Sequence, residues 1–323
     1  MSILPSRAVV VLGAVLLATP AVGQNPLDAV VQVRSTVSPE ARTAETLGTT
    51  RAGSGVLIDG SGLILTIGYL IMEAEQVEIG TAEGDLPAEV VAYDHESGFG
   101  LLRASVPLEA TPLRLGDSDA LTPATPLLLA SRVGELQVRG VEVQDRRTFA
   151  GYWEYLLEDA IFTTPPHPTF GGAALIDTGG RLVGVGSLFV RDAGRGGAPA
   201  AGNMFVPVAA LRPILADLLA NGRRAGPFRP WLGVTMQEGQ GHVWIRRVAP
   251  DGPAARAGLA EGDLVVGVDG RPVGGLPEFY RAIWGVGEAG APVPLNVLRG
   301  VTVEETTVQS IDRYRWLRQP GGL

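Results

Sequence analysis

Short apolar runs separated by glycine-rich turns dominate the chain. Residues 55–58 and 63–67 flank Asp59-Gly60-Ser61-Gly62, a tight-turn composition between two strand-length segments, and so predict a β-hairpin. Runs at 77–79, 88–92, 101–104, 127–130 and 138–143 continue at strand length. Residues 173–176 and 182–185 flank a second tight turn, Asp177-Thr178-Gly179-Gly180. Short strands at such regular spacing predict an all-β barrel or sandwich. The pattern changes at 208–221, where Leu211, Ile214, Leu215, Leu218 and Leu219 recur at helical spacing before Gly222.

Residues 223–229 (RRAGPFR) read as a polar link to a second module that begins at Pro230. There the pattern predicts strands at 232–236, 242–248 and 264–268, a short helix at 254–258, and a final strand pair at 293–298 and 304–310. A longer helix at 276–284 carries Leu276, Phe279, Tyr280 and Ile283 on one face. The basic tail 313–323 ends in Gly and Pro and is expected to fray. At the other end, Arg7 precedes an apolar stretch over 8–18, shorter than the roughly 20 residues a membrane span needs. Ala21 and Gly23 stand at −3 and −1 of a cleavage point, so 1–23 predicts a secretory signal peptide and a periplasmic or secreted product. The expected organisation is signal 1–23, first domain 24–222, link 223–229, second domain 230–312 and tail 313–323.

Composition narrows the chemistry. The chain has no cysteine and no lysine, so all 26 basic residues are arginine. That excludes disulfides, thiolate metal sites, a cysteine nucleophile, a lysine-dependent phosphate loop and Schiff-base catalysis. A net charge of −8 disfavours nucleic acid as a partner. Three histidines exist, His95, His167 and His242, so a histidine-dependent reaction must use one of them.

Four segments carry a resemblance. Gly53-Ser54-Gly55-Val56-Leu57-Ile58, then Leu65-Thr66 followed by Tyr69-Leu70-Ile71, then Phe170-Gly171-Gly172-Ala173, then Gly252-Pro253-Ala254-Ala255 with Gly258-Leu259, stand in the order found in the HtrA (DegP-like) family. The resemblance extends over 27–312. It implies a mostly β fold, a trypsin-like double six-stranded β-barrel followed by a PDZ domain. It also implies periplasmic serine-protease ancestry, no cofactor and no metal.

The family's catalytic positions hold other residues here. The histidine position of its Thr-x-x-His pattern matches Tyr69, the aspartate position matches Gly98, and the serine position matches Phe170. The oxyanion hole of the family uses the N–H of the serine and of the residue two before it, and the latter is Pro168, which has no N–H. A phenol with a reference pKa near 10 is a poor base, and neither Gly98 nor Phe170 can orient a base or attack a carbonyl. The resemblance therefore implies a pseudoprotease with no catalytic residue. His95 and His167, each three residues before a replaced position, are read as surface loop histidines. A metal or acid–base site shared with Asp94 is the alternative, with Thr163, Thr164 or Thr169 as a hydroxyl source. His242 reads as an ordinary surface residue.

In the second module Trp231-Leu232-Gly233-Val234 matches the PDZ carboxylate-binding loop, where consecutive N–H groups converge on a chain terminus. A peptide would add beside 234–236, opposite the helix carrying Tyr280 and Trp284. Asp263 is expected to support a turn. The expected partners are polypeptide C-termini or unfolded envelope proteins, in a quality-control, scaffolding or regulatory role. Two alternatives stand beside this: an active endopeptidase of the family with a triad elsewhere, and a regulatory partner of an active protease paralogue.

Overall fold

The computed structural model describes residues 25–82 and 84–317. The expected signal segment and the last six residues of the tail, 318–323, lie outside the described residues. Six antiparallel strands form a first closed barrel: β1 (Val30–Val37), β2 (Thr50–Leu57), β3 (Leu63–Ile67), β4 (Ala74–Gly80), β5 (Asp85–Tyr93) and β6 (Phe99–Ala104). Six more form a second: β7 (Pro126–Val133), β8 (Glu135–Gly151), β9 (Tyr155–Thr164), β10 (Ala174–Ile176), β11 (Leu182–Val190) and β12 (Gly202–Pro207). Closure leaves neither sheet an unpaired edge. The third sheet contains β13 (Val234–Gly239), β14 (His242–Val248), β15 (Leu264–Val268), β16 (Arg271–Pro272), β17 (Pro292–Arg299) and β18 (Thr302–Gln309). Short helices α1 (Ala44–Leu47), α2 (Leu215–Asn221), α3 (Pro253–Arg256), α4 (Leu276–Gly285) and α5 (Arg313–Trp316) complete the set.

The turn chemistry sets the local registers. At the β2–β3 turn the Asp59 carboxylate accepts from the N–H groups of Ser61 (2.8 Å) and Leu63 (3.0 Å), beside the backbone bond from Ile58 N–H to the Leu63 carbonyl (2.8 Å). Val33, Val56, Leu65, Ile79 and Leu101 fill the first barrel, and Leu129, Val143, Ile161, Leu175 and Phe205 the second. In the second domain Leu276, Phe279, Tyr280 and Ile283 of α4 are fully buried, the four positions whose spacing predicted the helix. Asp263 accepts from the Ala260 N–H (3.0 Å) and pairs with Arg299 (2.7 Å), a turn support as expected.

Two elements depart from the sequence reading. The helix expected over 208–221 is interrupted: a 3-10 turn covers Val208–Ala210, and α2 begins only at Leu215. Pro213 lies at the break and has no N–H for a helical bond, so the apolar periodicity outruns the backbone's capacity to continue. Gly222 does end the helix, with a left-handed φ of 70°. The tail does not fray over 313–317. Asp312 caps α5 by accepting from the Tyr314 N–H (2.9 Å). Tyr314 stacks on Tyr93 at 5.8 Å and donates to its carbonyl at 2.9 Å, while the Arg42 guanidinium covers Trp316 at 3.6 Å. Aromatic burial against the first barrel outweighs the flexibility of the segment.

The 223–229 link is likewise tied down. Arg224 grips the Asp94 carboxylate with two bonds (2.8 and 2.7 Å) and reaches Glu96 at 2.7 Å; Arg229 adds a contact to Glu96 at 3.0 Å. The Asp94 side chain is fully buried. Ion pairing at such a site fixes the direction in which the second module leaves the barrels.

Candidate functional site

The cleft between the two barrels gathers the three positions singled out by motif. Tyr69 lies in the 3-10 turn Gly68–Leu70 after β3. Gly68 donates to the Gly98 carbonyl (2.7 Å), which holds the Gly98 loop against that turn. The Tyr69 hydroxyl donates across the cleft to the Ser187 carbonyl on β11 (2.9 Å). It also lies 2.7 Å from where a Cβ on Gly171 would sit, so Tyr69 borders the Phe170–Gly171 loop. Burial pushes the Tyr69 phenol well above its ordinary value, which keeps it neutral and donating.

Backbone geometry accounts for the neighbouring glycines. Gly98 has a φ of 86°, and a Cβ there would meet the Tyr155 hydroxyl at 3.2 Å. That hydroxyl donates to the Ser97 carbonyl (2.7 Å), so Tyr155 occupies the space beside Gly98. Gly172 has a φ of 73°, and a Cβ there would fall 1.8 Å from the Ser54 carbonyl oxygen. Only glycine permits that approach of the loop to β2. Phe170 itself is half-buried, and its carbonyl accepts from the Ala173 N–H (3.0 Å). Pro168 is exposed.

His95 and His167 are not the surface loop residues the sequence suggested. His95 is half-buried between Tyr93 (5.1 Å) and Tyr314 (4.5 Å), with its Nε2 shielded from solvent and unpartnered. Burial, aided by nearby Arg313, depresses its basicity far below the ordinary imidazole range. The ordered tail causes this, because α5 packs over the loop that would otherwise expose the ring. His167 is 5% exposed; its N–H donates to Asn203 Oδ1 (2.6 Å) and its Nδ1 accepts from the Thr169 N–H (3.2 Å). Thr169 Oγ1 lies 3.1 Å from the same Nδ1 and 2.7 Å from Ser131 Oγ. With Nδ1 already held by a backbone donor two residues on, the pair is a local turn, and no carboxylate contacts the ring among the described residues. Thr163 is buried, with Oγ1 unpartnered, and Thr164 closes β9. His95 and His167 share no partner, and among the described residues no three His, Asp or Glu side chains gather as a metal site. Asp94 belongs to the Arg224 pair. His242 is exposed at the start of β14.

The second site lies in the second domain, where Leu232, Gly233 and Val234 enter β13. Their three N–H groups converge on one carboxylate: Leu232 donates to Glu154 Oε2 (2.9 Å), and Gly233 and Val234 donate to Oε1 (2.7 and 2.9 Å). A φ of 79° at Gly233 turns the backbone so that successive donors face the same point. Glu154 comes from the tip of the β8–β9 hairpin in the second barrel, and the sequence reading missed it. It is 5% exposed, and burial raises its pKa against the opposing pull of the three N–H groups and Arg313. The hairpin tip also lies between β13 and α4. Met236 donates to the Tyr152 carbonyl (2.7 Å). The Tyr280 hydroxyl donates to the Gly151 carbonyl (2.6 Å) and accepts from the Glu154 N–H (3.2 Å).

Tyr280 stacks on Trp284 at 5.5 Å, and the Arg229 guanidinium covers Trp284 at 4.1 Å. Tyr280 is fully buried and meets the hairpin tip through its hydroxyl, while Trp284 is half-buried. Trp231 contributes no donor to the carboxylate: its N–H bonds Ile311 (3.1 Å) and its ring packs on Trp316 (5.3 Å). The tip's own signal was available in the sequence, since Tyr152, Trp153 and Tyr155 surround Glu154 in a chain that is 6% aromatic.

Comparison with known proteins places this geometry. A trypsin-like peptidase domain matches residues 53–185 and a PDZ domain matches residues 230–309. A probable periplasmic serine endoprotease, DegP-like, from Pseudomonas putida (strain W619) is 26% identical over 290 residues, covering 83% of this chain and 56% of the relative. A DegP-like counterpart from Halomonas elongata is 29% identical over 280 residues, covering 79% and 55%. The periplasmic pH-dependent serine endoprotease DegQ of Escherichia coli is 24% identical over 282 residues, covering 80% and 60%. The chain thus spans little more than half the length of these relatives. Among solved structures, the HtrA-type protease AlgW with a decapeptide superposes with a TM-score of 0.54 at 20% identity, covering 91% of this chain and 97% of that one. The serine endoprotease from Yersinia pestis gives 0.52 at 23%, covering 88% and 94%. These two show a shared fold.

Proposed function

The chain is an HtrA/DegP-like protein, a trypsin-like peptidase domain joined to a PDZ domain, and from that premise we propose that it is a catalytically inert, exported member that works by binding polypeptide termini. The observation that carries the binding half is the convergence of the Leu232, Gly233 and Val234 N–H groups on a single carboxylate. A chain-terminal carboxylate presents the same two oxygens, and charge-assisted bonds of this kind contribute about 1.5–3 kcal/mol each. An extended peptide then adds beside β13, with side chains meeting α4.

The inert half rests on the cleft. A neutral, half-buried Tyr69 stands where the family's base is expected, a left-handed glycine where its orienter is expected, and Phe170 where its nucleophile is expected. Pro168 removes one oxyanion donor, a loss that alone costs about 10²–10³ in rate in related chemistry. The names of the relatives favour the periplasm as the place of action, with exposed termini of envelope proteins as ligands.

The test is a titration of the full chain with a fluorescein-labelled pool of random decapeptides, carried out once with free C-terminal carboxylates and once with carboxamides. Fluorescence anisotropy is expected to rise with the carboxylates and to fall away with the carboxamides. An equal rise with both pools overturns the reading.

A further inference from the structure

The PDZ groove already contains a ligand, and it belongs to the same chain. We infer that the tip of the β8–β9 hairpin is the resident ligand of the groove, the Glu154 side chain standing in for a chain-terminal carboxylate, so that a peptide binds in trans only by displacing it. This rests on the peptide-binding reading above and adds the identity of the competitor.

Three independent features carry it. The first is the donor set: every N–H of Leu232, Gly233 and Val234 is spent on Glu154, leaving the loop no free donor of that set for a second carboxylate. The second is placement. The backbone at the tip bonds β13 through Met236 on one side and α4 through Tyr280 on the other, so it fills the space between strand and helix that an added peptide strand needs. Leu156, two residues past Glu154, is buried in the same hydrophobic cluster as Leu232, Val234 and Ile283. The third is the backbone of Glu154 itself, whose φ is 55°. That conformation is uncommon for a non-glycine residue, and here it aims the carboxylate into the loop.

The tip is built to part from the groove as well as to fill it. Tyr152 and Trp153, the two residues before the buried Glu154, are 56% and 39% exposed. A side-chain carboxylate on a hairpin also lacks the run of backbone pairing that a terminal strand makes: among the described residues one backbone–backbone bond, Met236 N–H to the Tyr152 carbonyl, joins the tip to β13. A terminus with a full strand therefore competes with a ligand that is tethered but incompletely paired. The apparent affinity for such a peptide is its intrinsic affinity reduced by the fraction of molecules with the groove open.

The experiment compares the full-length wild-type chain with Glu154→Ala and Glu154→Gln, using the decapeptide carboxylate and carboxamide pools. The expected result is carboxylate-dependent binding at least tenfold tighter in Glu154→Ala, with Glu154→Gln between, because an amide oxygen still accepts but carries no charge. Equal carboxylate-dependent affinity in all three overturns the inference and leaves the peptide-binding reading standing. No carboxylate-dependent binding in any of them overturns the peptide-binding reading itself. Hydrogen exchange on the wild-type chain covers the case in which the variants fail to fold. Saturating carboxylate peptide is expected to raise exchange at the amides of residues 152–156 while those of 232–234 stay protected. Unchanged exchange at 152–156 with peptide bound overturns the inference.

Discussion

Restoring the family's aspartate by Gly98→Asp is expected to damage the fold and return nothing to the cleft. Gly98 has a φ of 86°, a region that costs an L-residue about 1–2 kcal/mol. The new Cβ would stand 3.2 Å from the Tyr155 hydroxyl, tighter than ordinary contact, so the ring must shift. Its bond to the Ser97 carbonyl (2.7 Å) then lengthens or breaks, and a buried acceptor left unsatisfied costs roughly 1–3 kcal/mol. The sum is about 2–5 kcal/mol of destabilisation. Guanidinium unfolding of wild type, Gly98→Ala, Gly98→Asp, Tyr155→Phe and the Gly98→Asp/Tyr155→Phe double variant separates the two parts. Gly98→Ala should lose the conformational part and most of the contact part. The double variant should lose less than the two singles added together, because Phe removes the oxygen that clashes. A Gly98→Asp protein as stable as wild type, or strictly additive singles, would refute the view that Tyr155 and the backbone close this position.

Two further outcomes follow from the same packing. Arg224→Met should cost about 2–4 kcal/mol in chemical unfolding, because it leaves the fully buried Asp94 with only its Ser97 partners, and Arg224→Lys should recover part of that since lysine cannot grip both oxygens; an unchanged midpoint in Arg224→Met contradicts it. His95 is held neutral in the folded state, so below about pH 6.5 the unfolded chain binds the extra proton and stability is lost as pH falls. His95→Phe should therefore gain on wild type by up to about 1.4 kcal/mol per pH unit between pH 6.5 and 5, and parallel stability–pH curves contradict it.

Much of the architecture was legible because closed barrels write themselves as strand-length apolar runs between turn residues. The 59–62 turn and the α4 face are cases where side-chain chemistry alone sets the structure. The β1, β9, β12 and two-residue β16 strands escaped the reading; in β9 the exposed charged pair Glu158 and Asp159 interrupts two buried runs, 155–157 and 160–163, which blurs the period. The helix over 208–221 was overcalled because periodicity carries no record of the missing N–H at Pro213. The tail was judged by its Gly and Pro residues, although Tyr314, Trp316 and Leu317 were the determining ones. Glu154 is the instructive omission. One acidic residue at a hairpin tip looks like a solvated charge until the fold brings three N–H groups 78 to 80 residues away onto it. Its role is a property of the contact between domains, which no local pattern encodes.

The central claim, that a protease frame here serves binding without hydrolysis, is tested most directly by treating the purified full chain with a fluorophosphonate probe, measuring its intact mass, and incubating the untreated chain with casein. The account predicts no added phosphonyl mass and intact casein after prolonged incubation at micromolar protein. A stoichiometric phosphonyl adduct on a serine or threonine, together with casein fragments that disappear when that residue is replaced, would contradict it.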